Sequence, residues 1–220
     1  MLFERLIVHE DPVPAGAALN MAIDEAIFAQ AQQSTLRFYR WERPALSFGY
    51  FGKFAEVAPE AELRELVRRW TGGGIVPHGE DLTYSLVTPT CDPVAKDGPV
   101  AIYAALHEAI RAALSLEGYL AELAAEAAPK VSDACFANPV RHDLMLEGRK
   151  IAGAAQRRTR AGFLHQGSIQ LPHLSQGFRQ RFAALLGKEI REEKIAPSIL
   201  QNASQLAREK YGADSWLRRW

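Results

Sequence analysis

The chain has 220 residues, 48% hydrophobic and 24% charged, with 26 Lys plus Arg balanced by 26 Asp plus Glu. This is an ordinary globular composition; its zero net charge excludes a global basic field for nucleic acid and an acidic disordered tail, leaving docking to local patches. The two cysteines, Cys91 and Cys135, are too few for a disulfide framework and are not spaced as a zinc site, so a reducing, cytoplasmic setting and no metal are expected.

The opening MLFERLIVHEDP carries Glu4, Glu10 and Asp11 and is not read as a signal peptide. No stretch reaches the ~18 apolar residues of a membrane span. Residues 17–31 place Leu19, Ile23, Ala26 and Ile27 on one helical face. LRFYRW (36–41) and ALSFGYF (45–51) read as strands separated by Arg43–Pro44. Pro59 is expected to start a short helix, acidic in its first turn, with Arg64, Arg68 and Arg69 towards its end. TGGGIVPH (71–78) reads as a loop or loose strand, and DLTYSLVT (81–88) as a strand with Leu82, Tyr84 and Leu86 on one face. Residues 99–116 form an amphipathic helix opening at Pro99. Residues 141–171 read as three successive strands, turning at Glu147–Gly148 and around Ala161–Gly162. The last ~45 residues read as mostly helical, with Pro197 starting a helix. Clustered strands with helices between and after them predict an α+β fold, a mixed or antiparallel sheet flanked by helices.

Two segments carry most of the candidate chemistry. In Arg68-Arg69-Trp70-Thr71-Gly72-Gly73-Gly74, consecutive glycines offer backbone N–H groups that can approach a phosphate, carboxylate or oxyanion, and Arg69 can add a charge-assisted bond. A flexible hairpin turn explains the glycines equally well, but the flanking Arg pair and His78 favour a site. In Gly148-Arg149-Lys150-Ile151-Ala152-Gly153, a lysine leaves a tight turn and enters a strand of small residues with room for a ligand. Such a lysine can donate to a developing oxyanion; the plainer alternative is a solvated turn lysine.

Cys135, in Ser132-Asp133-Ala134-Cys135-Phe136, is either a small buried hydrophobe or a nucleophile. A nearby ammonium such as Lys150 would favour its thiolate. Cys91, in TPTCDP, reads as structural or incidental. His78 and His165 can each be a core histidine or a substrate contact, and His107 and His142 read as exposed. The basic excess across 141–160 is a solvated face or a docking surface for an acidic partner.

Together, LNMAIDEAI, LRFYRWERPALSFGYF, RRWTGGGIVPHGEDLTYSL and HDLMLEGRKIAGAAQRRTRAGFLHQGSIQL resemble the biotin/lipoate A/B protein ligase family, in its lipoate-attachment branch, over about residues 17–171. The resemblance implies a domain related to class II synthetases, with an acyl chain beside the glycine loop and Lys150 at the acyl carbonyl. Thr71, Gly72, Gly73, Gly74, Gly153 and Gly167 then join Arg69, His78 and His165 as substrate-binding candidates. SDACFANP ahead of GRKIAGAAQRR looks like the cysteine-dependent octanoyltransferases of the branch. They carry an octanoyl group from acyl carrier protein, through a cysteine thioester, to a lysine of a lipoyl domain, as in the glycine cleavage H protein or 2-oxoacid dehydrogenase E2. Cys135 and Lys150 would be catalytic, with no cofactor.

The alternatives are an ATP- and Mg-dependent lipoate–protein ligase and a non-catalytic carrier-binding module. The chain is expected to form one catalytic domain over 1–220, without the C-terminal accessory domain of many ligases, acting in the cytoplasm without nucleic acid or membrane. Two positions depart from the transferase pattern. Gly74 stands where these transferases often have arginine, and Gln166 where the family often has histidine, which would leave His165 to make the histidine contact.

Overall fold

A computed structural model describes residues 1–127 and 138–219. Its strands are β1 (Phe3–Glu10), β2 (Thr35–Tyr39), β3 (Ala45–Phe48), β4 (Glu65–Arg68), β5 (Val76–His78), β6 (Leu82–Pro89), β7 (Glu122–Leu123), β8 (Leu144–Leu146), β9 (Arg149–Thr159), β10 (Gly162–Ile169) and β11 (Gly187–Glu192). Its α-helices are α1 (Ala17–Gln30), α2 (Pro99–Ser115), α3 (Gln176–Leu186), α4 (Pro197–Leu206) and α5 (Asp214–Leu217).

Eight strands form one sheet in the order β11-β1-β2-β6-β10-β9-β8-β7. β1 runs parallel to both β11 and β2. From β2 onward every pairing is antiparallel. A smaller sheet, β4-β3-β5, lies beside it. The expected α+β fold with a mixed sheet flanked by helices is what forms.

Side-chain alternation explains the layering. On β6, Leu82, Tyr84 and Leu86 join a core with Ile102, Leu106 and Ile110 of α2 and Phe178 and Phe182 of α3. Val87 faces the other way, into a core built on Met21, Ile23 and Ile27 of α1. β6 is therefore buried on both faces. α4 packs on the outside of α1 and continues through a π-helical turn, Ala207–Tyr211.

Several expectations are corrected. The stretch after Pro59 is only a 3₁₀ turn, Ala58–Glu62, and the chain re-extends into β4. Arg68 therefore ends a strand, with no exposure, and donates to the carbonyls of Tyr50, Gly52, Trp216 and Leu217. The C-terminal segment is not continuously helical, because β11 joins the sheet edge beside β1. β1, which the sequence reading does not mark, lies between β11 and β2 in the sheet. His107 is fully buried: helical period places it beside Leu106 and Ile110 on the inward side of α2. His142 is half-buried.

Candidate active site

The site lies where β9 and β10 meet the glycine loop. Lys150 leaves the tight turn at Glu147 and Gly148, both at positive φ (49° and 75°), and its side chain folds inward. Its Nζ sits 2.8 Å from Asp143 Oδ2, with the residue only 8% exposed, so it is not a solvated turn lysine. Asp143 is fully buried and also accepts from the Val140 N–H and the Tyr103 hydroxyl. The same hydroxyl accepts from the Ala154 N–H at 3.1 Å, which ties the group to β9. Burial first, and then the Asp143 charge, hold the Tyr103 phenol well above its ordinary range, so it stays a neutral donor.

Gly153 leaves room for this arrangement. A Cβ there would lie 2.5 Å from Lys150 Cε and 2.7 Å from Nζ. The small-residue strand thus lets Lys150 lie across Gly153, and Gly153 in turn lines a cleft.

That cleft is bounded by Gly153, Ala154 and Ala155 on β9, Gln166, Gly167 and Ser168 on β10, Gly73 of the loop, and Met21, Trp41, Val76 and His78. The loop is held from within. Arg69, buried, donates from Nη2 to the carbonyls of Gly72 (3.0 Å) and Gly74 (2.8 Å) and from Nη1 to Ser47 Oγ (2.6 Å). Arg69 therefore braces the loop as well as lining the cleft. Gly73 adopts φ +87°, which disfavours any side chain. Gly49 lets the loop approach closely, since a Cβ there would fall 2.0 Å from the Gly73 carbonyl. Thr71 donates to Gln166 Oε1 at 2.8 Å, and Gln166 Nε2 donates to Asp24 of α1 at 2.7 Å. The side-chain amide at 166 thus satisfies an acceptor and a donor at once.

His78 is buried at the end of β5. Its Nδ1 is 2.8 Å from Asp81 Oδ2, its Nε2 2.6 Å from Ser47 Oγ, and its ring stacks on Trp41 with centroids 4.0 Å apart. Asp81 also accepts from the Gly79 N–H, Thr83 Oγ1 and Ser168 Oγ. Burial pushes the Asp81 carboxyl up, but the His78 charge and these bonds outweigh it and leave it below its ordinary range. Burial also dominates at His78 and holds it below the histidine range despite Asp81.

His165 is placed elsewhere. It is fully buried, with Nε2 3.3 Å from the Tyr84 hydroxyl, and is not among the cleft residues; its neighbour Gln166 is. Gly167 passes over the Tyr84 ring, where a Cβ would meet the ring at 2.3 Å. Cys135 lies outside the described residues. Cys91 is exposed, its thiol 3.5 Å from the Gln32 carbonyl. Within the basic 141–160 run, Arg157 lies over Trp70 and Arg158, though exposed, donates to the Ala95 and Asp97 carbonyls; Arg141, Arg149 and Arg160 are also exposed.

Sequence reasoning missed Asp143, Tyr103, Ser47 and Asp81 as partners. The available signal for Asp143 was a carboxylate in a segment otherwise about to enter a buried strand. Among the described residues, no group of three or more His, Cys, Asp or Glu is placed to hold a metal, and no helix is long and apolar enough to cross a membrane.

The model for the lipoyl protein ligase A/B catalytic domain matches residues 16–210. Over 167 residues the chain is 40% identical to octanoyltransferase LipM of Oceanobacillus iheyensis, covering 72% of this chain and 61% of the relative. It is 34% identical over 183 residues to the LipM of Brevibacillus brevis, covering 76% and 65%. The matched region is thus about three-fifths of those relatives' length. Among solved structures, lipoate-protein ligase A bound with ATP superposes with a TM-score of 0.78 at 22% identity over 99% of each chain. A bi-partite lipoate protein ligase from Thermoplasma acidophilum gives 0.73 at 21% identity, over 99% of this chain and 97% of the other; these two likenesses bear on the fold alone. The chain belongs to the lipoyl protein ligase A/B catalytic domain family.

Proposed function

We propose that this chain is an octanoyltransferase, moving an octanoyl group from acyl carrier protein to a lysine of a lipoyl domain through a thioester on Cys135, without ATP. The observation that carries the reading is the buried Lys150–Asp143 pair at the edge of the cleft, taken with relatives at 34–40% identity named octanoyltransferases. Glycine cleavage H protein and 2-oxoacid dehydrogenase E2 are the acceptor classes, and the cytoplasm is the setting.

In this mechanism the Cys135 thiolate attacks the carrier thioester. A C–S bond forms to Cys135, the carrier's C–S bond breaks, and its thiolate leaves. The acceptor amine then attacks the enzyme thioester, an amide bond forms, and the Cys135 thiolate departs as the amine gives its proton to solvent, from which the released carrier thiolate is reprotonated. Covalent catalysis divides one difficult transfer into two easier ones. The Lys150 ammonium serves both steps: it is a fixed positive charge near the carbonyl that becomes an oxyanion. Asp143, Tyr103 and Gly153 keep it from swinging into solvent.

The acyl chain would lie between Gly73 and Ala154–Ala155, against Met21, Trp41 and Val76. The exposed Arg141, Arg149 and Arg160 would attract an acidic carrier.

A second reading, ATP-dependent ligation of lipoate, is favoured by one feature: Gly74 gives the loop its ligase-like TGGG form. The deciding experiment is to incubate the pure protein with octanoyl carrier protein without ATP and weigh the intact chain. An octanoyl adduct on wild type and none on Cys135→Ala is expected. No adduct, with ATP-dependent acylation of a lipoyl domain, would establish the ligase.

A further inference from the structure

One buried group has no task in that mechanism. Asp81 Oδ2, His78 and Ser47 Oγ form a continuous hydrogen-bonded line, 2.8 Å from the carboxylate to Nδ1 and 2.6 Å from Nε2 to the hydroxyl. The direction of the line is fixed by chemistry. An ionised Asp81 only accepts, so Nδ1 carries the imidazole proton and Nε2 is left to take the Ser47 proton. Four groups converge on Asp81, and Trp41 stacks on the His78 ring with planes 18° apart, so the imidazole has one orientation. Ser47 and His78 both line the cleft, and Arg69 Nη1 lies 2.6 Å from Ser47 Oγ. A nucleophile within reach of a base and a base oriented by a third group are the core of the arrangement of serine acyl-transfer enzymes, and here the Arg69 guanidinium adds a positive charge at the nucleophile. The adjoining Met21, Trp41, Val76 and Ala154 supply an apolar wall for an acyl chain.

We infer that Ser47, His78 and Asp81 form a second acyl-accepting centre, which hydrolyses medium-chain acyl esters and thioesters independently of Cys135. Ser47 Oγ attacks the carbonyl carbon and its proton passes to His78 Nε2. The ester or thioester bond breaks, and the leaving alkoxide or thiolate takes that proton, giving an O-acyl Ser47. Water then attacks the acyl carbon and gives a proton to Nε2. Ser47 Oγ leaves, recovers that proton, and the free carboxylic acid departs. Arg69 provides the positive charge beside the reacting oxygen.

The test uses the full chain carrying Cys135→Ala, which removes the acyl-accepting thiol of the proposed transfer, so failure of the Cys135 mechanism and failure of this inference are separate results. The protein is treated with an octyl fluorophosphonate and mapped by peptide mass, and p-nitrophenyl octanoate hydrolysis is followed in parallel. Phosphonylation on the Ser47 peptide is expected. Hydrolysis should fall roughly a hundredfold or more when Ser47→Ala or His78→Gln is added, with thermal melting confirming that each variant folds. Labelling in the parent needs no second variant, so it stands even if Ser47→Ala does not fold. An unmodified Ser47 peptide, or hydrolysis no faster than buffer, overturns the inference. So does hydrolysis that survives Ser47→Ala, and the three residues would then be a brace for Arg69 and the glycine loop.

Discussion

Lys150 owes its position to the absence of a side chain at Gly153. A methyl group there would lie 2.5–2.7 Å from the end of the lysine, and the flexible lysine tip, not the backbone, would give way. Gly153→Ala should therefore leave folding nearly intact while moving Nζ off Asp143. The expected outcome is a melting temperature within a few degrees of wild type and acyl transfer reduced tenfold or more, mainly in kcat. Equal loss of stability and activity would mean that Gly153 is needed for packing and not for placing the lysine. Lys150→Met keeps the stem and removes the charge. Losing one preorganised donor costs about 3 kcal/mol of transition-state stabilisation, a hundredfold or more in turnover. Normal turnover by a folded Lys150→Met protein would remove the lysine from the mechanism.

At the scale of elements, α1 is tied to the sheet by a buried carboxylate. Asp24 accepts from Arg37 on β2 (2.7 Å), Ser85 on β6 (2.7 Å) and Gln166 on β10 (2.7 Å). Through Gln166 and Thr71 the same carboxylate supports the glycine loop. Without Asp24, Arg37 keeps its pair with Asp11, but the buried donors of Tyr39, Ser85 and Gln166 lose their acceptor, and each buried donor left unsatisfied costs about 1–3 kcal/mol. For a chain of this size their sum is on the order of 10 °C in melting temperature, so Asp24→Ala should melt at least that much lower. The exposed Lys188–Glu4 pair, 2.5 Å apart, joins β11 to β1; Lys188→Ala should change stability by less than about 1 kcal/mol, because solvent screens it. Urea titration of both variants checks the contrast. Much of this layer is legible in the sequence. The period of residues 17–31 marks α1, and alternation in 82–88 marks a strand with Leu82, Tyr84 and Leu86 on one face, though not the burial of Thr83, Ser85 and Val87 on the other. Glu147–Gly148 and Ala161–Gly162 mark the turns of β8–β9–β10. What is not legible is pairing at long range. Nothing local tells Asp24 apart from Glu25 as the buried acid, and β11 is a strand only because β1 offers it an edge. Ser47, His78 and Asp81 come from β3, β5 and the residue just before β6, and their meeting depends on the small sheet closing.

For the whole molecule, the buried histidines set the response to acid. Burial lowers His107 to about 4, and burial followed by the nearby His107 charge lowers His165 to about 3. Neither His107 Nε2 nor His165 Nδ1 has a hydrogen-bond partner, so neither offers a good place for an added proton. In the unfolded chain both imidazoles bind protons near the ordinary histidine value of 6.5. Between pH 6.5 and about 4 the unfolded state therefore holds more protons than the folded state, and stability rises with pH across that window. The stabilisation is fully present above pH 6.5 and is lost as pH falls towards the folded values. Each pKa unit corresponds to about 1.4 kcal/mol, so the two groups together withdraw several kcal/mol, a large part of a typical domain's stability. Urea unfolding at pH 7.5, 6, 5 and 4.5 should give a steep decline below pH 6.5. His165→Gln, which cannot titrate, should flatten that decline while leaving the pH 7.5 value closer to wild type than the pH 4.5 value. A decline of unchanged steepness in both His165→Gln and His107→Gln would place the acid sensitivity in other groups, with His9 and His78, also held low by burial, the next to replace.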